Sequence, residues 1–244
     1  MSALALNSAS LKYDNGFTAL NNVTAQFDSG SFTALVGPSG CGKSSLLRLL
    51  AGLEQPFIGS VTGLAQSHTG FVFQEPTLLA WRSVADNITL PLQIEGHSGS
   101  AIAARLDEAL ALVGLAEFAD ALPRQLSGGM KMRVSLARAL AKRPPVLLMD
   151  EPFAALDELT RFRLDDDLRT IWQQQKCTIV FVTHSVTEAA YLAERALVMQ
   201  GGELRQEIAI DQNGRDSGFR SAPAFTAACA ALSAALGHGA GNEM

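Results

Sequence analysis

The 244-residue chain has little of what marks several large protein classes. Cysteine is scarce: Cys41, Cys177 and Cys229 are an odd number at wide, irregular spacing, which fits free thiols in a reducing compartment and provides no metal-ligand pattern. Long apolar runs are missing. The longest, such as residues 178–183, have the length of a buried strand and fall far short of the ~18 to 20 residues that span a bilayer. The first residues lack the basic start and long apolar centre of a secretory signal, so a soluble, cytoplasmic polypeptide is the expectation. There is no basic surplus: 19 basic against 24 acidic side chains leave a net charge of −5. That balance argues against a dedicated nucleic-acid binder, though not against a local basic patch. Proline is limited to 9 residues while 48% of the chain is apolar, which excludes a mainly disordered protein and suffices for one large domain or two small ones.

What is present reads as α/β with an inserted run of helices. Residues 3–13 and 17–27 alternate in the manner of strands, separated by turn chemistry at Asp14, Asn15 and Gly16. Residues 32–36 form a short apolar strand, followed by a glycine-rich loop and a leucine-rich helix over 43–51. Residues 52–70 are glycine-rich and irregular, with one strand expected near 60–62, and residues 71–73 read as another. Helical periodicity dominates about 84–141, with helices expected over 84–92, 102–113 and 128–140. After Pro144 and Pro145 the alternation of strand and helix returns: strand 146–149, helix 158–175, strand 178–182, helix 185–193, strands 196–199 and 203–208. Asp165, Asp166 and Asp167 read as a solvated helix face. Residues 211–220 read as a polar linker and 222–236 as an Ala-rich helix, so the expected division is a core over 1–210 and a tail over 211–244.

The loop Gly37, Pro38, Ser39, Gly40, Cys41, Gly42, Lys43, Ser44 fits the pattern G-x-x-x-x-G-K-[ST] between a strand and a helix. Its glycines let successive backbone N–H groups face inward as an anion nest, and the following helix adds its positive end. Lys43 brings a point charge to the β- and γ-phosphates, Ser44 a hard oxygen for Mg²⁺, and Ser45 a further hydrogen bond. Cys41 is a small residue filling the loop; exposed beside bound cations it would be reactive. The loop alone indicates a nucleoside triphosphate without separating kinases, GTPases and ATPases.

Two further features narrow that choice. Residues 146–149 are an apolar strand ending in Asp150 and Glu151; strand alternation sends the two carboxylates to opposite sides, one suited to the metal and one to a water. Ser127, Gly128 and Gly129 precede a long amphipathic helix, where the serine caps the helix and the glycines admit an anion, giving a second phosphate-binding helix start. Taken singly, Gln74 reads as a surface glutamine, His184 as a structural histidine and Tyr13 as a half-buried strand residue.

As an ordered set these features resemble the ATP-binding cassette (ABC) family. Gly37 to Ser44 match its Walker A loop, Gln74 its Q-loop, Leu126 to Met130 its signature, Asp150 and Glu151 its Walker B, Ala155 to Asp157 its D-loop and His184 its switch histidine. The chain departs from the pattern at Met130 and Met132, where glutamine is usual, at Ser45 in place of threonine, and in a short region over 59–70. The resemblance implies a P-loop NTPase (RecA-like) core with an antiparallel β subdomain and an α-helical insertion. It implies ATP and Mg²⁺ as cofactors and hydrolysis of ATP to ADP and phosphate. Tyr13 is placed against adenine, and Ser44, Gln74 and Asp150 as metal ligands. Glu151, His184, Lys43 and Gln74 are the implied catalytic residues, and Ser127, Gly128 and Gly129 of one copy are implied to contact the γ-phosphate held by another.

Partners follow from the same resemblance: a second cassette, integral-membrane permease subunits at the cytoplasmic face of the inner membrane, a substrate-binding protein indirectly, and no nucleic acid. The apolar stretch 74–81, ending in Trp81, resembles the surface on which importer permeases dock, with packing inside the helical insertion as the alternative for Leu78. Residues 78–81, 84–87 and Met130 are similar to those of nitrate, sulfonate and taurine importers. Two other functions make different demands on the sequence. A soluble ABC ATPase acting on nucleic acid or translation favours duplicated cassettes, a coiled-coil arm or a basic surface. A kinase or GTPase should lack the 126–130 signature and His184.

Overall fold

The computed structural model describes residues 2–63, 69–211 and 218–237. The chain divides into two compact units, one made of Met1–Ser67 with Thr178–Met244, the other of His68–Cys177. The irregular stretch read over 52–70 and the linker read over 211–220 lie partly outside the described residues, at 64–68 and 212–217.

The first unit opens with β1 (Ser2–Lys12) and β2 (Thr18–Asp28), an antiparallel pair joined by a turn in which Gly16 N donates to Tyr13 O at 2.9 Å. Then come β3 (Phe32–Val36), α1 (Lys43–Leu50) and β4 (Ile58–Gly63). β4 returns antiparallel to β1, with Leu4 opposite Gly63 and Asn7 opposite Ser60, so the strand expected near 60–62 completes a sheet of order β2-β1-β4.

The second unit contains β5 (Thr69–Val72), α2 (Val84–Ile94), α3 (Ser100–Leu112), α4 (Gly128–Leu140), β6 (Val146–Asp150) and α5 (Glu158–Gln175). β5 and β6 pair in parallel. The chain re-enters the first unit as β7 (Thr178–Val182), α6 (Val186–Leu192), β8 (Arg195–Gln200), β9 (Glu203–Ala209) and α7 (Pro223–Gly237). There the strands run β7-β3-β8-β9, with β3 parallel to both neighbours and β9 antiparallel at the edge.

The patterning explains these elements. β3 and β7 are buried at every residue, as strands of a sheet covered on both faces must be, and so read as mainly apolar runs with one threonine each, Thr33 and Thr178. Phe32 and Phe181 meet edge to face across them at 6.2 Å. Leu46, Leu47, Leu49 and Leu50 of α1 are all buried, each contributing roughly 1.5–3 kcal/mol relative to exposure. In the second unit Val84, Ile88 and Leu92 of α2, spaced four apart, pack with Leu110 of α3 and Val134 and Ala137 of α4.

One expectation is overturned in part. Asp166 is exposed, as a solvated face requires, but Asp165 is only 2% exposed and the half-buried Asp167 pairs with Arg133 of α4 at 2.7 Å. The reason is helical geometry, because Asp165 lies between the buried Leu164 and Leu168 on the inward stripe of α5. Burial raises the Asp167 carboxyl above its ordinary range, and Arg133 opposes the shift.

Candidate nucleotide site

The loop from Gly37 to Gly42 is shaped by its surroundings as much as by glycine's freedom. A Cβ at Gly37 would stand 2.3 Å from the Met199 carbonyl oxygen, and one at Gly42, where φ is +105°, 2.5 Å from that of Ala19. The loop is thus pressed against β8 and β2, and only glycine allows that approach. Gly42 is the N-cap of α1 and supplies no side-chain cap, so the first amides of the helix face the loop without a competing side chain. Lys43 is buried to 4% exposure, and its Nζ donates to the carbonyls of Gly37 and Pro38, both at 2.9 Å. Pro38, Ser39 and Gly40 are exposed; Ser44 and Ser45 are half-buried. The Tyr13 hydroxyl and Ser45 Oγ lie 3.1 Å apart, tying the expected adenine-side residue to α1.

A cavity of about 750 Å³ opens on this loop, lined by Gly37 to Cys41, by His184, by the β8 end and the turn after it, and by Ala235 and Leu236 of α7. His184 lies two residues past the end of β7 and is exposed. The first unit therefore brings the phosphate loop and His184 to one cavity. Cys41 lies inside the loop instead of at its surface: it is 5% exposed, and burial pushes its thiol up despite the opposing Lys43 ammonium. The reactive thiol expected for an exposed Cys41 is not what the fold provides.

The second unit holds the other predicted residues. Asp150 ends β6, but Glu151 lies beyond the strand with φ +46°. Its direction is set by this left-handed turn and not by strand alternation, a correction to the simple reading of the pair. Backbone strain of this kind, about 1–3 kcal/mol, persists where the surroundings hold it, here through the buried Phe153 and the Ala154 N to Glu151 O bond at 3.2 Å. Gln74 is exposed just past β5. Ser127 caps α4, accepting from Met130 N at 3.2 Å, and both Ser127 and Gly128 are exposed. Gly129 is buried, and a Cβ there would meet Thr160 Cγ2 at 2.7 Å. The two glycines therefore differ: Gly128 leaves an open surface, while Gly129 lets α4 approach α5. Asp157 caps α5 through Thr160 N at 3.0 Å, and the hydrogen bonds from Thr160 lower its carboxyl pKa.

Two residues that sequence reasoning missed hold the segment after Gln74. Asn87, wholly buried on the apolar stripe of α2, accepts from Leu79 N at 2.8 Å and donates to the carbonyls of Leu79, Arg82 and Ser83. Arg138 of α4 donates to the carbonyls of Pro76 and Thr77 at 3.0 and 2.9 Å. An asparagine in line with Val84, Ile88 and Leu92 was the available signal. The loop so held presents Trp81, 75% exposed, while Leu78 packs into the helical core.

A glycine loop between a buried parallel strand and an uncapped helix start, with a lysine folded into it, defines a P-loop nucleotide-binding protein of the α/β class. Comparison narrows the class. The family model described as ABC transporter matches residues 20–154. The aliphatic sulfonates import ATP-binding protein SsuB 1 of Pseudomonas savastanoi pv. phaseolicola is 45% identical over 197 residues, 80% of this chain and 81% of that one. The aliphatic sulfonates import ATP-binding protein SsuB of Escherichia coli O6:K15:H31 is 45% identical over 214 residues, 85% and 81% of the two chains. A solved dimeric ATP-binding cassette in a post-hydrolysis state with ADP and Pi superposes with a TM-score of 0.76 at 32% identity, covering 85% of this chain and 99% of its own. The chain belongs to the ABC transporter family and is an ATP-hydrolysing cassette of it.

Proposed function

We propose that the chain is the ATPase subunit of a membrane importer for aliphatic sulfonates or a similarly small solute, acting as a pair of cassettes at the cytoplasmic face of the membrane. The observation that carries the reading is the phosphate cradle of residues 37–43 opening on a cavity shared with His184. Likeness to the sulfonate import ATP-binding proteins supports the substrate class. Transport also requires permease subunits, for which the exposed Trp81 and Phe73 are the proposed contact, and a substrate-binding protein that this chain meets only through the permease.

The residues fit ATP and Mg²⁺. Gly40 has no atom within 4 Å of where a Cβ would stand, so the loop's outer face is open to phosphate oxygens. The hydroxyl of Ser44, the amide of Gln74 and the carboxylate of Asp150 are hard oxygen donors, and one carboxylate with neutral oxygens suits an ion that keeps water and phosphate ligands. When bound, Mg²⁺ supplies charge neutralisation on the phosphates. Lys43 leaves the Gly37 and Pro38 carbonyls for the β- and γ-phosphates. Glu151 orients water, His184 contacts the γ-phosphate, Tyr13 lies against adenine, and Ser127, Gly128 and Gly129 engage the γ-phosphate of the second copy.

Glu151→Gln tests the assignment. Turnover falls by about 10²-fold or more while nucleotide affinity stays near that of the parent, since the substitution removes a base and keeps the shape. Unchanged steady-state hydrolysis refutes the role of Glu151. The substrate class is tested by uptake: with its permease and binding protein, the parent supports ATP-dependent accumulation of an alkanesulfonate, and accumulation of a chemically different solute alone excludes that class.

A further inference from the structure

His184 is exposed, yet the residues on either side of it are locked together. Thr183 is 3% exposed, and its backbone N–H donates to Leu35 O of β3 at 3.1 Å. Its hydroxyl donates to Glu188 Oε2 at 2.5 Å and accepts from Ser185 N at 2.9 Å. The Ser185 hydroxyl in turn accepts from Glu188 N at 3.2 Å as the N-cap of α6. These three bonds close a ring through Thr183, Ser185 and Glu188, two of which are the chain neighbours of His184. Glu188 is 4% exposed, an expensive place for a carboxyl group unless it is hydrogen-bonded. With Glu188 Oε2 accepting its proton, the Thr183 hydroxyl turns a lone pair toward the Ser185 N–H, which fixes the backbone on both sides of His184. The far end of α6 is held as well: Arg220 stacks over Tyr191 at 3.5 Å, and Tyr191 faces the buried Phe219 at 6.3 Å.

We propose that Glu188, acting through Thr183 and Ser185, is a positioning residue for His184 in the hydrolytic cycle. The inference rests on the reading of His184 as the group that contacts the γ-phosphate. The ring aims the His184 imidazole into the cavity on the phosphate loop. Displacing a reacting or contacting group by about 1 Å costs up to 10²-fold in rate, so loosening the ring lowers turnover without touching the nucleotide-binding loop.

The experiment uses the purified full chain with Mg-ATP, measuring kcat, KM and the affinity for a fluorescent ATP analogue, with thermal melting to confirm folding. Glu188→Asp keeps the charge but is one methylene too short to reach Thr183, whereas Glu188→Gln keeps an acceptor oxygen at the right distance. The first lowers kcat by about 10- to 100-fold with analogue affinity unchanged, and the second restores most of the rate. Thr183→Val behaves like Glu188→Asp, and Thr183→Ser like the parent. On a His184→Ala background, Glu188→Asp costs nothing further. If Glu188→Asp turns over like the parent, or slows the His184→Ala protein by the same factor as it slows the parent, the positioning role is wrong. If His184→Ala itself leaves kcat unchanged, it is the reading of His184 that fails, and the inference falls with it.

Discussion

At the scale of single residues, the loop 37–43 separates what a motif says from what its packing does. Lys43 is held by two carbonyls and lies among buried groups, so its ammonium is aimed before any phosphate arrives. Cys41, two residues earlier, is buried beside it, with its Sγ 4.0 Å from Lys43 Nζ. A thiol reacts as its thiolate, and burial disfavours that charge, so proximity to a cation does not by itself make Cys41 nucleophilic. Cys177 is more strongly affected, with burial pushing its thiol up to about 11. Cys229 on α7 is half-buried. Alkylation of the native protein at pH 8 followed by peptide mass mapping should therefore label Cys229 first and reach Cys41 and Cys177 only on unfolding. Labelling of native Cys41 at the rate of Cys229 would show that the loop opens far more readily than its packing allows.

At the scale of elements, the two glycines that start α4 make opposite demands. Gly129 has Thr160 Cγ2 at 2.7 Å from the position of a Cβ, and a β-branched threonine on a packed helix has little freedom to withdraw. Gly129→Ala should cost about 1–3 kcal/mol through overpacking between α4 and α5. Gly128→Ala, with its nearest neighbour at 3.6 Å, should leave stability within about 0.5 kcal/mol. Urea unfolding of the two variants decides this, and equal stabilities would mean that α4 and α5 are not in the contact described. The same contrast shows what was legible in the sequence. Strands β3, β6 and β7 are predominantly apolar runs, and α4 and α5 begin at capping residues, so their limits follow from local chemistry. The phosphate loop is local too. What stayed hidden depends on partners far along the chain or on backbone angles: the buried Asp165 beside Leu164 and Leu168, the left-handed φ of Glu151, the Asn87 tether of residues 79–83, and the ring through the neighbours of His184. A Thr, a Ser and a Glu spaced over six residues read as an ordinary helix cap, and nothing in that spacing says that the carboxylate turns inward to Thr183.

At the scale of the whole molecule, one copy offers two positive helix starts with different finishes. α1 begins beneath the phosphate loop with a lysine folded across it; α4 begins at Ser127 and Gly128, both exposed. Two such ends repel when brought together and attract when a polyphosphate lies between them. Association of two copies should therefore depend on nucleotide charge and on how slowly the nucleotide is consumed. Glu151→Gln with Mg-ATP should migrate as a dimer in size-exclusion chromatography, and the same protein with ADP or without nucleotide as a monomer. Gly128→Trp supplies the control, because Gly128 is exposed and its Cβ position has only an ordinary contact, Leu156 Cδ2 at 3.6 Å, so a large side chain can turn outward in the single copy while blocking the approach of a second. Placed in the Glu151→Gln background, it should bind ATP, melt near the parent temperature and remain monomeric. A Gly128→Trp protein that still dimerises with ATP would show that the face carrying Ser127 and Gly128 does not close on the other copy's nucleotide, and the proposed division of labour between the two helix starts would be wrong.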